Sequence, residues 1–139
     1  MSATQMRHLK LWYAGRARNW ALASYEVDEL EEGFEAAMRF HPEHKNSPRP
    51  LTELIPEFTR GPTEALRAAL RRESPDAFVA AYEQRTEACN GCHIATRFAF
   101  NRVVRPSENP YSNQRFDARR DSPGGSRSEA QRGESRATR

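Results

Sequence analysis

Apolar side chains return every three or four positions along most of the chain up to residue 95, the spacing that lines one face of an α-helix. Met6, Leu9, Leu11, Trp12 and Tyr13 line a first short helix over residues 4 to 14, which Gly15 and the polar run Arg16 to Asn19 interrupt. Asn19 can cap the next segment, and from Trp20 a stripe runs through Ala23, Val27, Leu30, Phe34, Ala37, Met38 and His41. Pro42 ends that second helix, because it lacks a backbone donor and its ring clashes with the preceding turn. Residues 42 to 50, with Pro42, Pro48 and Pro50, read as a connecting loop.

Leu51, Leu54, Ile55 and Phe58 then predict a short helix or a packed crossover whose regularity Pro56 limits. A third substantial helix opens at Pro62 and continues through Leu66, Ala69 and Leu70. Ser74 caps a fourth that opens on Pro75, with Phe78, Tyr82, Cys89 and His93 close to one side. Alternating runs that would read as strands are absent. The pattern therefore predicts an all-α protein: an antiparallel four-helix bundle with one longer crossover and an extended C-terminal segment. From Arg102 that segment, broken by Pro106 and Pro110, is expected to pack on the bundle through Val103, Val104, Tyr111 and Phe116.

Composition sets the boundaries. The chain has 139 residues, 37% of them hydrophobic, which suits one domain with a small core. After Asp117 nearly every residue is Arg, Ser, Gly, Glu or Ala, so residues 1–117 are expected to form the helical domain and 118–139 a disordered arginine-rich tail. With 22 basic and 19 acidic residues the formal charge is +3, too small to mark a polyanion binder, and no specific nucleic acid is expected. Glu26, Asp28, Glu29, Glu31, Glu32 and Glu35 cluster on the second helix and read first as its solvated face, with docking of a basic electron partner the alternative. No stretch approaches the roughly 18 consecutive apolar residues of a membrane span, so stable insertion is not expected.

Both cysteines fall within Cys89-Asn90-Gly91-Cys92-His93. On a helix these two thiols and the imidazole stand at i, i+3 and i+4 and face one partner. Two thiols can form thioethers with the vinyl groups of a haem while the adjacent imidazole reaches the iron, which is the attachment pattern of c-type haem. Gly91 minimises crowding between the thiols. One covalently attached haem c per chain is the expected cofactor, with His93 as proximal ligand and its other ring nitrogen donating to a partner that fixes the tautomer. The rival is a zinc site in which His41 and His44 join Cys89 and Cys92, making a zinc-stabilised helical interaction module. A plain thiol redox pair is the third reading.

The chain resembles the bacterial c-type cytochromes built as four-helix bundles, the cytochrome c' group, in which the attachment motif lies near the end of the last helix. It resembles more closely a family of small cytochrome c-like proteins in proteobacteria. The resemblance rests on His8-Leu9-Lys10-Leu11-Trp12-Tyr13-Ala14-Gly15, the segment from Asn19-Trp20 through Phe34, Cys89 to His93, and Pro106 through Phe116. It covers roughly residues 5 to 117 and implies a periplasmic haem protein that can form a homodimer. The opening MSATQMRHLK has no apolar signal core, so a periplasmic location implies a chain whose export leader has been removed.

The opposite face of the iron decides the function. Met6, His8, Met38, His41 and His44 can each coordinate haem iron. A bundle resembling cytochrome c' lines that face with its first helix, which favours His8. A His8 ligand suits outer-sphere electron transfer, whereas an open face binds nitric oxide, carbon monoxide or another small ligand. Arg97, four residues beyond His93, can pair with a haem propionate, with Arg85 a further candidate. Phe98 and Phe100 can cover an edge of the cofactor, and Trp12, Trp20, Phe34, Phe58, Phe78 and Tyr82 are expected in the core or against the haem. No Ser-His-Asp arrangement, phosphate-binding loop or paired carboxylate site can be placed, so no enzyme activity is expected. The leading expectation is a monohaem electron carrier that meets a redox protein partner.

Overall fold

Three of the four helices end in the same way, and each ending sets the direction of the next segment. Arg18, Glu73 and Arg97 adopt left-handed backbone angles, with φ of 57°, 49° and 66°. In each case the next amide reaches back five residues: Asn19 to the Ala14 carbonyl, Ser74 to Ala69, and Phe98 to His93. This is the Schellman closure, made here without glycine. It reverses the chain in two tight turns and, after the last helix, throws the C-terminal segment back over the bundle.

The computed structural model describes residues 2–44 and 46–118. Its helices are α1 (Ser2–Arg16), α2 (Trp20–Phe40), α3 (Leu51–Arg71) and α4 (Pro75–Ala95). They run up, down, up and down, with α1 on α2, α3 on α4, and α2 against α3; α1 and α4 meet more sparsely than these three pairs. Asn19 Oδ1 accepts from the Leu22 amide at 3.2 Å, and Ser74 Oγ from Ala77 at 3.4 Å ahead of Pro75. The expected arginine-rich tail lies almost wholly outside the described residues.

Residues 51 to 71 form a single helix, with Pro56 and Pro62 inside it, which corrects the expected short helix or packed crossover followed by a separate helix. Each proline removes one hydrogen bond of the ladder. The apolar stripe nevertheless stays in phase across both, from Leu54 and Ile55 to Leu66, Ala69 and Leu70, all buried. Continuous burial of that face outweighs two local breaks of about 3 kcal/mol or more each, since fully burying a Leu or Ile contributes roughly 1.5–3 kcal/mol. Near Pro62 the Thr59 carbonyl also gains partners outside the ladder, accepting from Thr63 Oγ1 at 2.8 Å and from Arg85 Nη1 at 3.1 Å.

The core runs the length of the bundle. Leu11, Trp12 and Ala14 meet Val27 and Leu30, Leu66 and Leu70, and Phe78 and Tyr82. Phe116 returns from the C-terminal segment to pack on Tyr13, ring centroids 5.6 Å apart, and Tyr111 lies under Lys10 Nζ at 4.8 Å. Val104, expected to pack, is exposed. The acidic face of α2 is not simply solvated either. Arg7 joins Glu26 and Glu29 from one side, and Arg67 joins Asp28 and Glu31 from the other. No described helix is long and apolar enough to cross a membrane.

Candidate functional site

The gap between α1 and α4 widens at the end of the bundle where α1 begins and α4 finishes. There Cys89, Cys92 and His93 line one cavity with His8, Thr59 and Asn101, and its apolar wall is Leu30, Phe34, Ile55 and Val103. The bundle thus brings together four of the five residues the sequence singled out. Arg97 is not among them. It is exposed, and its backbone supplies the left-handed residue that closes α4.

His93 is the third-last residue of α4, so its carbonyl takes the Phe98 amide at 2.6 Å and starts the return of the chain. The next stretch, residues 98–104, forms a strap that places the Asn101 carbonyl 2.5 Å from His93 Nδ1. A carbonyl can only accept, so Nδ1 carries the hydrogen and Nε2 keeps its lone pair. That is the tautomer a metal-ligating histidine needs, with its orienting partner supplied by the backbone.

His8 is 4% exposed and has both ring nitrogens occupied: Nε2 lies 3.0 Å from Thr86 Oγ1 and Nδ1 lies 3.0 Å from the Tyr82 hydroxyl. Each hydroxyl also has a carbonyl to donate to, Thr86 to Tyr82 O and Tyr82 to His8 O, both at 3.0 Å. The Tyr82 ring stacks on the imidazole with centroids 4.5 Å apart. Burial, with Arg85 adding repulsion, pushes the His8 imidazole down to about 4, so it is neutral at pH 7. A neutral ring can coordinate iron, but bonding through Nε2 would cost the Thr86 contact. The other sixth-ligand candidates stand elsewhere: Met38 packs against the core, His41 is exposed past α2, and neither it, Met6 nor His44 lines the cavity.

The two thiols differ in setting but not in direction. Burial raises Cys89 against the pull of Arg85, and burial followed by the neighbouring Cys89 raises Cys92. Both are therefore protonated near neutrality, unlike the depressed thiols of reactive Cys-x-x-Cys pairs. The zinc alternative lacks its ligand set as well. His44 packs against Phe98 with centroids 5.1 Å apart, and no group of three or more His, Cys, Asp or Glu among the described residues is placed to hold a metal ion.

Arg85, offered by the sequence as a further propionate candidate, has a setting the sequence did not reveal. It is 1% exposed, one turn before Cys89, with no carboxylate ion-paired to it among the described residues. Its Nη1 donates to the Thr59 carbonyl and to Thr63 Oγ1 at 2.9 Å, its guanidinium stacks 4.6 Å over Phe34, and its Nε has no partner. Desolvation lowers its pKa, yet a guanidinium stays charged in proteins. Phe34 and Thr59 also line the cavity, so a fixed positive charge sits directly behind its wall. Phe100, expected at the cofactor edge, is 82% exposed.

The donor set suits a covalently held haem: two thiols one turn apart, an imidazole in the ligating tautomer, and apolar walls. The cavity measures about 230 Å³. Sites that enclose a whole cofactor run to roughly 300–1,000 Å³, so a porphyrin here would keep part of its edge at the mouth or displace wall side chains. Phe58, expected in the core or against the haem, is half-buried over Gly91 and does not line the cavity. No family model, curated protein or solved structure matches the chain, and its kind is set by its architecture, an all-α bundle of four helices.

Proposed function

We propose that this protein is a monohaem c-type cytochrome that carries one electron by Fe(III)/Fe(II) cycling. The observation that carries the reading is the convergence of Cys89, Cys92 and His93 on one apolar-walled cavity, with His93 Nδ1 already tied to the Asn101 carbonyl. Cys89 and Cys92 would hold the haem through thioethers and His93 Nε2 would be the proximal ligand. The bound haem would supply a one-electron iron centre; the chain supplies its orientation and the exclusion of water. Leu30, Phe34 and Ile55 keep the interior dry, and the buried Arg85 charge favours the ferrous over the ferric state. Covalent attachment places the protein in the periplasm, where a redox protein would be its partner.

A second reading is favoured by one observation, the engagement of both His8 nitrogens. If Thr86 keeps Nε2, His8 would not ligate a haem held by Cys89, Cys92 and His93, and such a haem would supply an iron able to bind nitric oxide, carbon monoxide or another small ligand.

Intact mass and a pyridine haemochrome spectrum, on protein made with haem-maturation machinery, test the main reading. The expected result is one haem per chain, lost in Cys89→Ser/Cys92→Ser. Bound zinc on an unmodified chain would overturn it. Resonance Raman spectra of the native protein and His8→Ala then separate the two coordination states: a high-spin iron unchanged by the substitution selects the open one.

A further inference from the structure

Asn90 occupies a position between the two cysteines that has no assigned chemistry in the attachment motif. Its side-chain amide makes two hydrogen bonds to a single residue of the strap. Nδ2 donates to the Val103 carbonyl at 2.9 Å, and Oδ1 accepts from the Val103 amide at 2.8 Å. A planar amide that reads both groups of one residue fixes the height and the rotation of that residue, as a neighbouring β-strand would. Two positions earlier in the same strap is Asn101, whose carbonyl holds His93 Nδ1. Val103 and Asn101 both line the cavity, and the Asn101 amide is itself anchored to the Phe98 carbonyl at 2.8 Å.

The strap is therefore pinned from α4 at three points: the His93 carbonyl holds the Phe98 amide, the His93 ring meets Asn101, and Asn90 holds Val103. Asn101 is exposed, and the strap has no helix of its own. Val103 is the first anchor beyond Asn101; the next is the exposed pair of Arg105 with Glu83 of α4, at 3.0 Å. Without Asn90, the backbone between Asn101 and Arg105 has no hydrogen bond to α4 among the described residues, and the Asn101 carbonyl is held closely from one side alone. We propose that Asn90 is the positioning residue of the imidazole: by clamping Val103 it holds the Asn101 carbonyl on His93 Nδ1 and keeps Nε2 turned to the cavity as the ligating nitrogen. The effect on iron rests on the haem reading; the effect on the tautomer does not. Keeping the orienting partner of a ligand in place matters because it sets the basicity of the ring.

The experiment has two arms, both on the full chain. In protein without haem, nitrogen NMR at alkaline pH reads the His93 tautomer, and hydrogen exchange reads the Val103 amide. The native chain is expected to show the Nδ1–H form. Asn90→Ala should populate the Nε2–H form and speed Val103 exchange by about tenfold or more, the consequence of losing bonds worth ~1 kcal/mol each. Asn90→Asp keeps the acceptor and loses the donor, and should fall between them; it decides the matter if the alanine variant fails to fold. In protein carrying haem, the alanine variant should retain the covalent attachment but show a lower iron–imidazole stretching frequency and a higher reduction potential. An unchanged tautomer and unchanged Val103 exchange in both variants would overturn the clamp. So would loss of haem attachment with the tautomer intact, which would assign Asn90 to attachment instead. If the native chain takes no haem, the haem reading fails and the first arm still decides this one.

Discussion

The two ends of the bundle use the same device, a glycine lying beneath an aromatic ring, to opposite effect. At the turn end, Gly15 of α1 is buried under Phe78 of α4, and a Cβ there would stand 2.1 Å from the ring. Trp12 and Trp20 close round the same ring, each with its centroid 6.3 Å away. At the cavity end, Gly91 of α4 lies under Phe58 of α3, but the contact is looser at 2.8 Å and both residues are half-buried. The same end holds the cavity, with His8, Cys89, Cys92 and His93 in its lining and Arg85 behind its Phe34 wall. One end is sealed by close packing, which commits its side chains to stability. The other tolerates a cavity, an unpartnered guanidinium nitrogen and a neutral buried histidine, features that cost stability and are retained where a site needs them.

Alanine at the two glycines should separate the ends most strongly. Gly15→Ala forces Phe78 out of a fully packed position and is expected to lose about 1–3 kcal/mol, despite the better helix propensity of alanine. Gly91→Ala should change stability by less than about 1 kcal/mol, since Phe58 can swing outward while alanine favours the helix. Urea unfolding of both variants checks this, and equal losses would erase the distinction. Next in size is Arg85→Met, which removes a buried charge without a paired carboxylate. It should leave the chain without haem as stable as before, or more stable by up to about 2 kcal/mol, because replacing buried charge by packed apolar groups is often neutral or favourable. A loss above about 3 kcal/mol would instead make the bonds to Thr59 and Thr63 the fastening of the cavity end.

The smallest effect concerns the join between the ends, where Glu26 is 1% exposed beside Arg7 at 3.3 Å. Burial raises its pKa above the usual 4.5, with Arg7 opposing. A carboxyl raised on folding binds more protons in the native than in the unfolded state, so its contribution to stability is present at low pH and is lost as pH rises through the folded value. Glu26→Gln has no proton to lose. Its stability relative to the native chain should improve as pH rises from about 4 to 7. Thermal midpoints of the two proteins across that range test the sign, and parallel curves would mean that Arg7 compensates fully.

Much of this was legible in the chain, and the failures have a common cause. Asn19 and Ser74 cap helices as their side chains predict, and the stripe from Trp20 to Phe34 faces the core. Cys89, Cys92 and His93 fall on one face because their spacing is that of a helix. The same local rules broke α3 at Pro56 and Pro62, where burial along the whole helix prevailed. They also suggested a propionate role for Arg97, which the turn after α4 takes out of the cavity, and they favoured a solvated surface for the acidic run that Arg7 and Arg67 grip.

By itself the sequence determined α1, α2 and α4, the caps at Asn19 and Ser74 and the local constellation of two thiols and an imidazole, because each depends on residues within a turn or two of one another. Only the tertiary structure decided which histidine joins that constellation. His8 does so because α1 and α4 run in opposite directions past the gap, which sets it beside Tyr82 and Thr86. It also decided that Arg85 is buried without an ion-paired carboxylate, and that a backbone carbonyl at residue 101 orients His93. Periodicity states which face a side chain occupies; hydrogen bonds and electrostatics depend on what that face meets, and the meeting is made by packing.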